Sequence, residues 1–325
     1  MSNIKIAGIG AYLPSLIVTN DKISEFVETN NEWIIERTGI RERRISEGED
    51  TSDIAFESSK MALERAGLKA EDIELIIVAT VSPDAFIPSV ACIIQSKLKA
   101  DKAACFDINV ACSGFLYGLE IAKSMMKSMN YKNALVVGAE VLSKVMDWSD
   151  RGTCILFGDG GGAAVLKQEE DGSQGIIKSY LRANGAKGES LTIGGADFNT
   201  PFTKEGKIKE RIIKMNGREV FKFATTVIVE AVNEILKDTD VSLDEIKYIV
   251  PHQANYRIIK SAAGKLGLEE EKFYLNLDRV GNTSAGSVPI VLNEMYEKNL
   301  INKGDKIILV AFGGGLTYAS TLIEW

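Results

Sequence analysis

The sequence predicts an α/β fold built from two similar halves with largely parallel sheets. Apolar runs of strand length alternate with segments of helical period. The same order of elements occurs twice along the chain. At 325 residues the chain also exceeds the size at which one hydrophobic core usually stops growing.

In the first copy, a helical stretch from Ser52 to Ala66 leads to an acidic-start strand, Asp72 to Val78. A helix around Ala91 to Leu98 follows, and then the run Phe106 to Cys112. In the second copy, a helix from Glu219 to Leu236 leads to a strand, Asp244 to Val250, and then to a helix, Asn255 to Leu266. The run Leu275 to Val280 ends at Gly281-Asn282. Ile73 to Cys112 is 39 positions and Ile246 to Asn282 is 36, so Val110-Ala111-Cys112 answers Val280-Gly281-Asn282. Each copy continues through a helix-length segment to a strand, Ala134 to Ala139 and Ile307 to Ala311. Each also carries a glycine turn, Gly158 to Gly162 and Gly313 to Gly315. The halves divide at residues 1–170 and 171–325. The stretch from Asn184 to Glu210, rich in Gly, Thr, Asp and Lys, reads as a loop insertion capping one end.

Composition narrows the function classes. Hydrophobic residues are 45% and charged residues 26%, an ordinary globular balance. A net charge of −7 argues against a nucleic-acid binder, which needs clustered Lys and Arg to release phosphate counterions. The apolar runs are too short to span a bilayer. Cys92, Cys105, Cys112 and Cys154 show no C-x-x-C spacing, and no secretory signal is evident. Reduced thiols in a cytoplasmic protein are expected, with no zinc or other metal site.

Three residues have chemical promise. Cys112 falls where a strand ends and Ser113-Gly114-Phe115 opens a helix, where backbone N–H groups and the helix dipole stabilise a thiolate and lower its pKa. That position suits a nucleophile or a buried structural cysteine, and the second description is expected for Cys92 and Cys105. His252, the only histidine, follows a strand at the end where α/β sheets gather ligands. It is either a site residue or an end-of-strand histidine bonded to backbone. Asn282 fits a cap or turn residue, or the partner of Cys112 across the repeat. A neutral imidazole and a carboxamide together donate hydrogen bonds to a carbonyl oxygen becoming an enolate. Gly313-Gly314-Gly315 brings backbone amides near a substrate, and Gly314 together with the amide of Cys112 forms a candidate oxyanion hole.

Eight ordered segments carry a resemblance to one family: Glu32-Trp33-Ile34 with Arg37 to Ile40, Ala111 to Phe115, Asp150-Arg151-Gly152, Phe157 to Gly160, Met215 to Phe221, Pro251 to Asn255, Gly281 to Ser284, and Phe312 to Gly315. The chain resembles the β-ketoacyl-acyl-carrier-protein synthase III enzymes that start type II fatty-acid synthesis. The resemblance implies a thiolase-like, five-layered αβαβα fold of two pseudo-duplicated halves, a homodimer, and a Cys112, His252, Asn282 triad without a cofactor. It implies decarboxylative condensation of an acyl-CoA primer with malonyl-acyl-carrier protein through an acyl-Cys112 intermediate, giving a 3-oxoacyl-acyl-carrier protein.

By the same resemblance, Trp33, Arg37, Thr38, Arg151 and Asn255 match CoA contacts. Lys222, Arg257 and Lys265 match the positions that dock the acidic carrier protein. Ile87 stands where a Phe commonly reaches the partner's acyl pocket, which leaves room for a longer or branched primer. Two rival readings are a secondary-metabolism relative with a different starter or acceptor, and a non-catalytic acyl-CoA-binding scaffold.

Overall fold

A computed structural model describes residues 3–170 and 175–325. The first sheet has five strands in the spatial order Asn3–Tyr12, Gly160–Glu169, Asn133–Glu140, Leu75–Ala79, Ala104–Ile108. The second has four, in the order Ile246–Pro251, Lys306–Gly313, Thr317–Glu324, Gly175–Ala183. The expectation of largely parallel sheets is corrected to mixed ones. Leu75–Ala79 runs parallel to both its neighbours, but Gly160–Glu169 is antiparallel to both of its own. The reason is local to the glycine turns. Gly313 to Gly315 folds Lys306–Gly313 straight back onto Thr317–Glu324, and so short a connection joins only antiparallel strands.

Five layers follow from the alternation of side chains along these strands. In the first sheet Leu75, Ile77, Ala134 and Val136 face inward, against the helices Gly114–Met129 and Ser287–Glu297. Ile76, Val78, Leu135 and Val137 face outward, under the helices Thr51–Ala66 and Val90–Leu98. The second sheet repeats this. Ile307, Leu309 and Ala311 join the same central core, while Ile308, Val310 and Phe312 pack beneath Gly217–Leu236 and Tyr256–Leu266. Both faces of both sheets are covered, which is why the strands read as unbroken apolar runs.

The repeat has a tighter register than the sequence reading supposed. A constant offset of 173 residues brings Asn133–Glu140 onto Lys306–Gly313, and the pairing of Leu75 with Ala134 onto that of Tyr248 with Ile307. Under that offset Cys112 answers Ala285, and Asn282 answers Asn109. The proposed equivalence of Cys112 with Asn282 is therefore wrong by three positions. Backbone geometry agrees: Ala111 (φ 45°) and Ser284 (φ 48°) each open a short 3-10 turn that runs into a central helix. What the second half lacks is a full counterpart of Ala104–Ile108. Only a bridge between Ile249 and Phe273 remains, and Leu277–Val280 is helical.

The stretch read as a loop insertion is partly ordered into strands. Leu191–Ile193 pairs with Ile213–Met215, and Phe198 bridges Lys207. Its first strand packs against a fourth cluster, containing Val18, Ile34, Leu142 and Phe157, that covers one end of the sheets. The first acidic-start strand also begins later than expected, at Leu75, because Ala70–Asp72 forms a 3-10 turn.

Candidate active site

A cavity of about 740 Å³ opens where the carboxyl ends of the central strands meet the insertion. Cys112, Ser284 and Gly314 line it, with Phe86, Phe157 and Leu191 supplying apolar wall. His252 and Asn282 are buried, 1% and 6% exposed, and are not part of its lining.

Cys112 is 6% exposed in the turn Ala111–Ser113, directly before the helix that begins at Gly114. The helix terminus is where the sequence put it, but the electrostatic consequence is reversed. Burial pushes the Cys112 thiol up to about 12, and the nearby Glu140 carboxylate adds to the rise. A hydrogen bond from the Ser284 side chain opposes it only in part. At neutral pH the sulfur keeps its proton, and any nucleophilic step needs an acceptor for it.

His252 is held from three sides. Its backbone N–H donates to the Val310 carbonyl oxygen at 2.7 Å, its Nδ1 bonds Ser287 Oγ at 2.6 Å, and its ring packs edge-on against Phe312 with centroids 5.3 Å apart. Burial drops its pKa to about 3, so the imidazole is neutral at physiological pH. The Asn282 carboxamide oxygen accepts from the N–H of Ser284 at 2.9 Å. The Asn282 backbone is clamped to Leu156 and Gly158, at 2.9 and 3.0 Å. These links converge: Ser284, bonded to Asn282, lines the cavity with Cys112, and Phe312-Gly313 runs from the His252 ring to the Cys112 backbone.

Gly313 is required by that approach. A Cβ there would lie 2.7 Å from the Cys112 nitrogen and 2.9 Å from its Cβ, closer than packed atoms allow. Gly313→Ala is expected to push the turn off Cys112 and to cut turnover at least tenfold. Steady-state condensation assays, beside a thermal melt that reports folding, check this.

Of the positions matched to CoA contacts, four form one surface. Trp33 is half-buried with the Arg37 and Arg151 guanidinium carbons 5.5 and 4.8 Å from its ring centroid. Asn255 donates to the Arg37 carbonyl oxygen at 3.0 Å and caps the helix Tyr256–Leu266. An aromatic face between two cations suits a base and its phosphates. Thr38 departs from the expectation of a polar contact. It is buried, and its hydroxyl is spent on the Ile34 carbonyl and the Ile40 N–H, where it holds the end of the helix Asn31–Thr38.

Lys222 and Arg257 are exposed on adjacent helices, and exposed Lys265 donates its ammonium to the Thr225 carbonyl at 2.9 Å. Ile87 is 88% exposed, while its neighbours Ala85 and Phe86 wall this chain's own cavity. The description of Cys92 and Cys105 as buried cysteines is corrected. Cys92 is exposed and Cys105 half-buried, because they sit on an outer helix and an edge strand, with sulfurs 3.4 Å apart. Among the described residues no group of three or more His, Cys, Asp or Glu side chains is placed to hold a metal ion. No helix there is long and apolar enough to cross a membrane.

The sequence reading missed Glu140, Ser284 and Ser287. Glu140 ends an otherwise apolar strand, a buried acid that a search for polar residues in apolar runs would have found.

Comparison with known proteins decides the family. Residues 106–185 match the model of 3-oxoacyl-acyl-carrier-protein synthase III, and residues 236–325 match the model of its C-terminal part. The chain is 75% identical to the β-ketoacyl-acyl-carrier-protein synthase III of Clostridium beijerinckii, over the whole of both chains. The chain belongs to the 3-oxoacyl-acyl-carrier-protein synthase III family. The crystal structure of such a synthase III from Aquifex aeolicus superposes with a TM-score of 0.92 at 42% identity, over 99% of this chain and all of that one. A priming β-ketosynthase of the R1128 polyketide pathway superposes with a TM-score of 0.91 at 32% identity, over 99% of this chain and 96% of that one. The five layers are thus the thiolase fold, and this synthase III is a condensing acyltransferase of fatty-acid synthesis.

Proposed function

We propose that the synthase loads an acyl group from an acyl-CoA primer onto Cys112, then condenses it with malonyl-acyl-carrier protein to give a 3-oxoacyl-acyl-carrier protein. The observation that carries this reading is the Cys112 thiol in the wall of one cavity, with the neutral His252 imidazole packed on Phe312 beside the Gly313 that touches Cys112, and the Asn282 carboxamide bonded to the Ser284 N–H of the same wall. Trp33, Arg37 and Arg151 hold the CoA nucleotide end, and Asn255 contacts the pantetheine arm. The amides of Cys112 and Gly314 receive the tetrahedral oxyanion. After CoA leaves, the malonyl thioester enters the same cavity. In this reading Ser287 is the donor to Nδ1, which puts the His252 proton on Nε2. That N–H and the Asn282 amide stabilise the enolate as carbon dioxide departs, and the carbanion then attacks the acyl enzyme. No step needs a cofactor.

The protein works in the cytoplasm as a homodimer in this reading. In the single chain, Ala104–Ile108 is an edge strand and Phe86 and Ile87 are exposed, a combination a second copy would cover. Ile87 then enters the partner's acyl pocket.

Lys222 and Arg257 receive the acidic carrier protein. Exchanging both for Glu is expected to raise KM for malonyl-acyl-carrier protein about tenfold, while acyl-CoA loading stays at its original rate. Loss of the salt dependence of KM in the variant is the accompanying check.

The test of the whole reading is intact-protein mass spectrometry after mixing with a panel of acyl-CoAs, followed by a chase with malonyl-acyl-carrier protein. A mass gain cleared by the chase supports the cycle and identifies the primer. Loading without discharge points to another acceptor, as in secondary metabolism. No loading by folded protein overturns the reading in favour of a scaffold.

A further inference from the structure

Cys92 is exposed on the helix Val90–Leu98, and Cys105 is half-buried on the edge strand Ala104–Ile108. Both are free thiols, and their sulfurs lie 3.4 Å apart. A disulfide holds its sulfurs at about 2.05 Å, so side-chain rotation that closes about 1.4 Å joins them.

The two elements are already fastened beside the pair. The Asp107 carboxylate accepts from the N–H groups of Val90 and Ala91 at 2.8 Å each, at the start of the helix. Cys105 and Asp107 alternate with Phe106 along the strand and so face the same side, toward that helix. Both elements also continue into the cavity that holds Cys112. Ser89 lines it directly before the helix, and every residue from Asp107 to Cys112 lines it beyond Cys105. A bond between helix and strand therefore bears on two sides of the cavity wall.

We propose that Cys92 and Cys105 are a redox-sensitive pair that a peroxide closes to a disulfide, and that closure reshapes the cavity and slows acyl loading. Cys92 meets the oxidant first because it is exposed. Burial, together with the adjacent Cys92, pushes the Cys105 thiol up to about 11, so that sulfur keeps its proton until it reacts. The Cys92 sulfur takes one oxygen from the peroxide to become a sulfenic acid, and water leaves. The Cys105 sulfur then displaces the sulfenic hydroxyl, which departs with the Cys105 proton as a second water. Two thiols give up two electrons, and one hydrogen peroxide becomes two waters. The effect on loading rests on the reading of Cys112 as the acylated residue, whereas the disulfide itself does not.

The test treats the assembled protein with hydrogen peroxide, then maps it by tryptic mass spectrometry and measures acyl loading by rapid quench. Lys97, Lys99 and Lys102 lie between the two cysteines, so trypsin leaves them joined only where they are bonded. The expected result is a mass loss of about 2 Da per chain and a cross-linked fragment absent from Cys92→Ser and Cys105→Ser. Loading by the oxidised protein is expected to be roughly tenfold slower, the scale of a small displacement of reacting groups, and dithiothreitol restores it. Both variants are expected to load at the original rate before and after peroxide. Absence of the link, or a link that joins two copies, overturns the pair. A link with loading unchanged, or an equal loss of loading in Cys92→Ser, overturns its hold on the cavity. Failure of the untreated protein to load overturns instead the assignment of Cys112 as nucleophile.

Discussion

Cys112→Ala abolishes the acyl enzyme: no acyl-CoA adds mass to the variant, and condensation falls roughly 10⁴-fold or more, as when the nucleophile of a covalent mechanism is removed. The fold tolerates the change. Alanine already stands at the corresponding place in the second half, Ala285, and the side chain leaves only a small void against Gly313. The expected pattern is therefore loss of loading with an unchanged melting temperature and unchanged affinity for acyl-CoA, whose nucleotide end is proposed to rest on the Trp33 and Arg151 pair, away from Cys112. Mass spectrometry and calorimetry read the two separately. A variant that still gains acyl mass would place the nucleophile elsewhere, and Cys154, buried and with a thiol raised to about 11, is the thiol to examine next.

His252→Ala is expected to leave acyl loading largely intact and to slow malonyl decarboxylation by about 10² to 10³, the effect of losing one donor to a developing oxyanion. Asn282→Ala should do the same with an added structural cost, because Asn282 also holds the N–H of Ser284. Carbon dioxide release measured apart from acyl transfer distinguishes the two half-reactions.

The imidazole also makes a pH prediction. Its folded pKa of about 3 lies below the ordinary 6.5, so the unfolded chain binds this proton first as pH falls. The contribution of His252 to stability is full above about pH 6.5 and is lost progressively toward pH 3, a total loss of roughly 5 kcal/mol. Between those limits His252→Gln should show a stability curve flatter by about 1.4 kcal/mol per pH unit. Chemical denaturation at a series of pH values measures it, and parallel curves would mean that His252 is solvated.

Legibility differed from element to element. Helices such as Thr51–Ala66 and Gly217–Leu236 were readable within two residues, since one face must meet a sheet and the 3.6-residue period records it. The strand Leu75–Ala79 was visible as an apolar run but not in its pairing, because burial on both faces erases the alternation that marks direction and register. The cap Leu191–Ile193 with Ile213–Met215 was unreadable, as its two three-residue strands carry too little pattern. Cys112, His252 and Asn282 were singled out by position and by family likeness. Thr38 was misjudged, because a threonine ending a helix and one facing a ligand look alike in sequence.

Residue types and their spacing alone determined the α/β class, the repeated order of elements and the candidate thiol, imidazole and carboxamide. These are local matters of periodicity and of which side chains carry chemistry. Only the tertiary structure decided that Cys112 keeps its proton, that His252 loses its own, and that Ser284 lines the same cavity as Cys112. Those outcomes depend on burial and on neighbours more than a hundred residues away, and a protonation state is set by what surrounds a group in space, which no order of residues along a chain records.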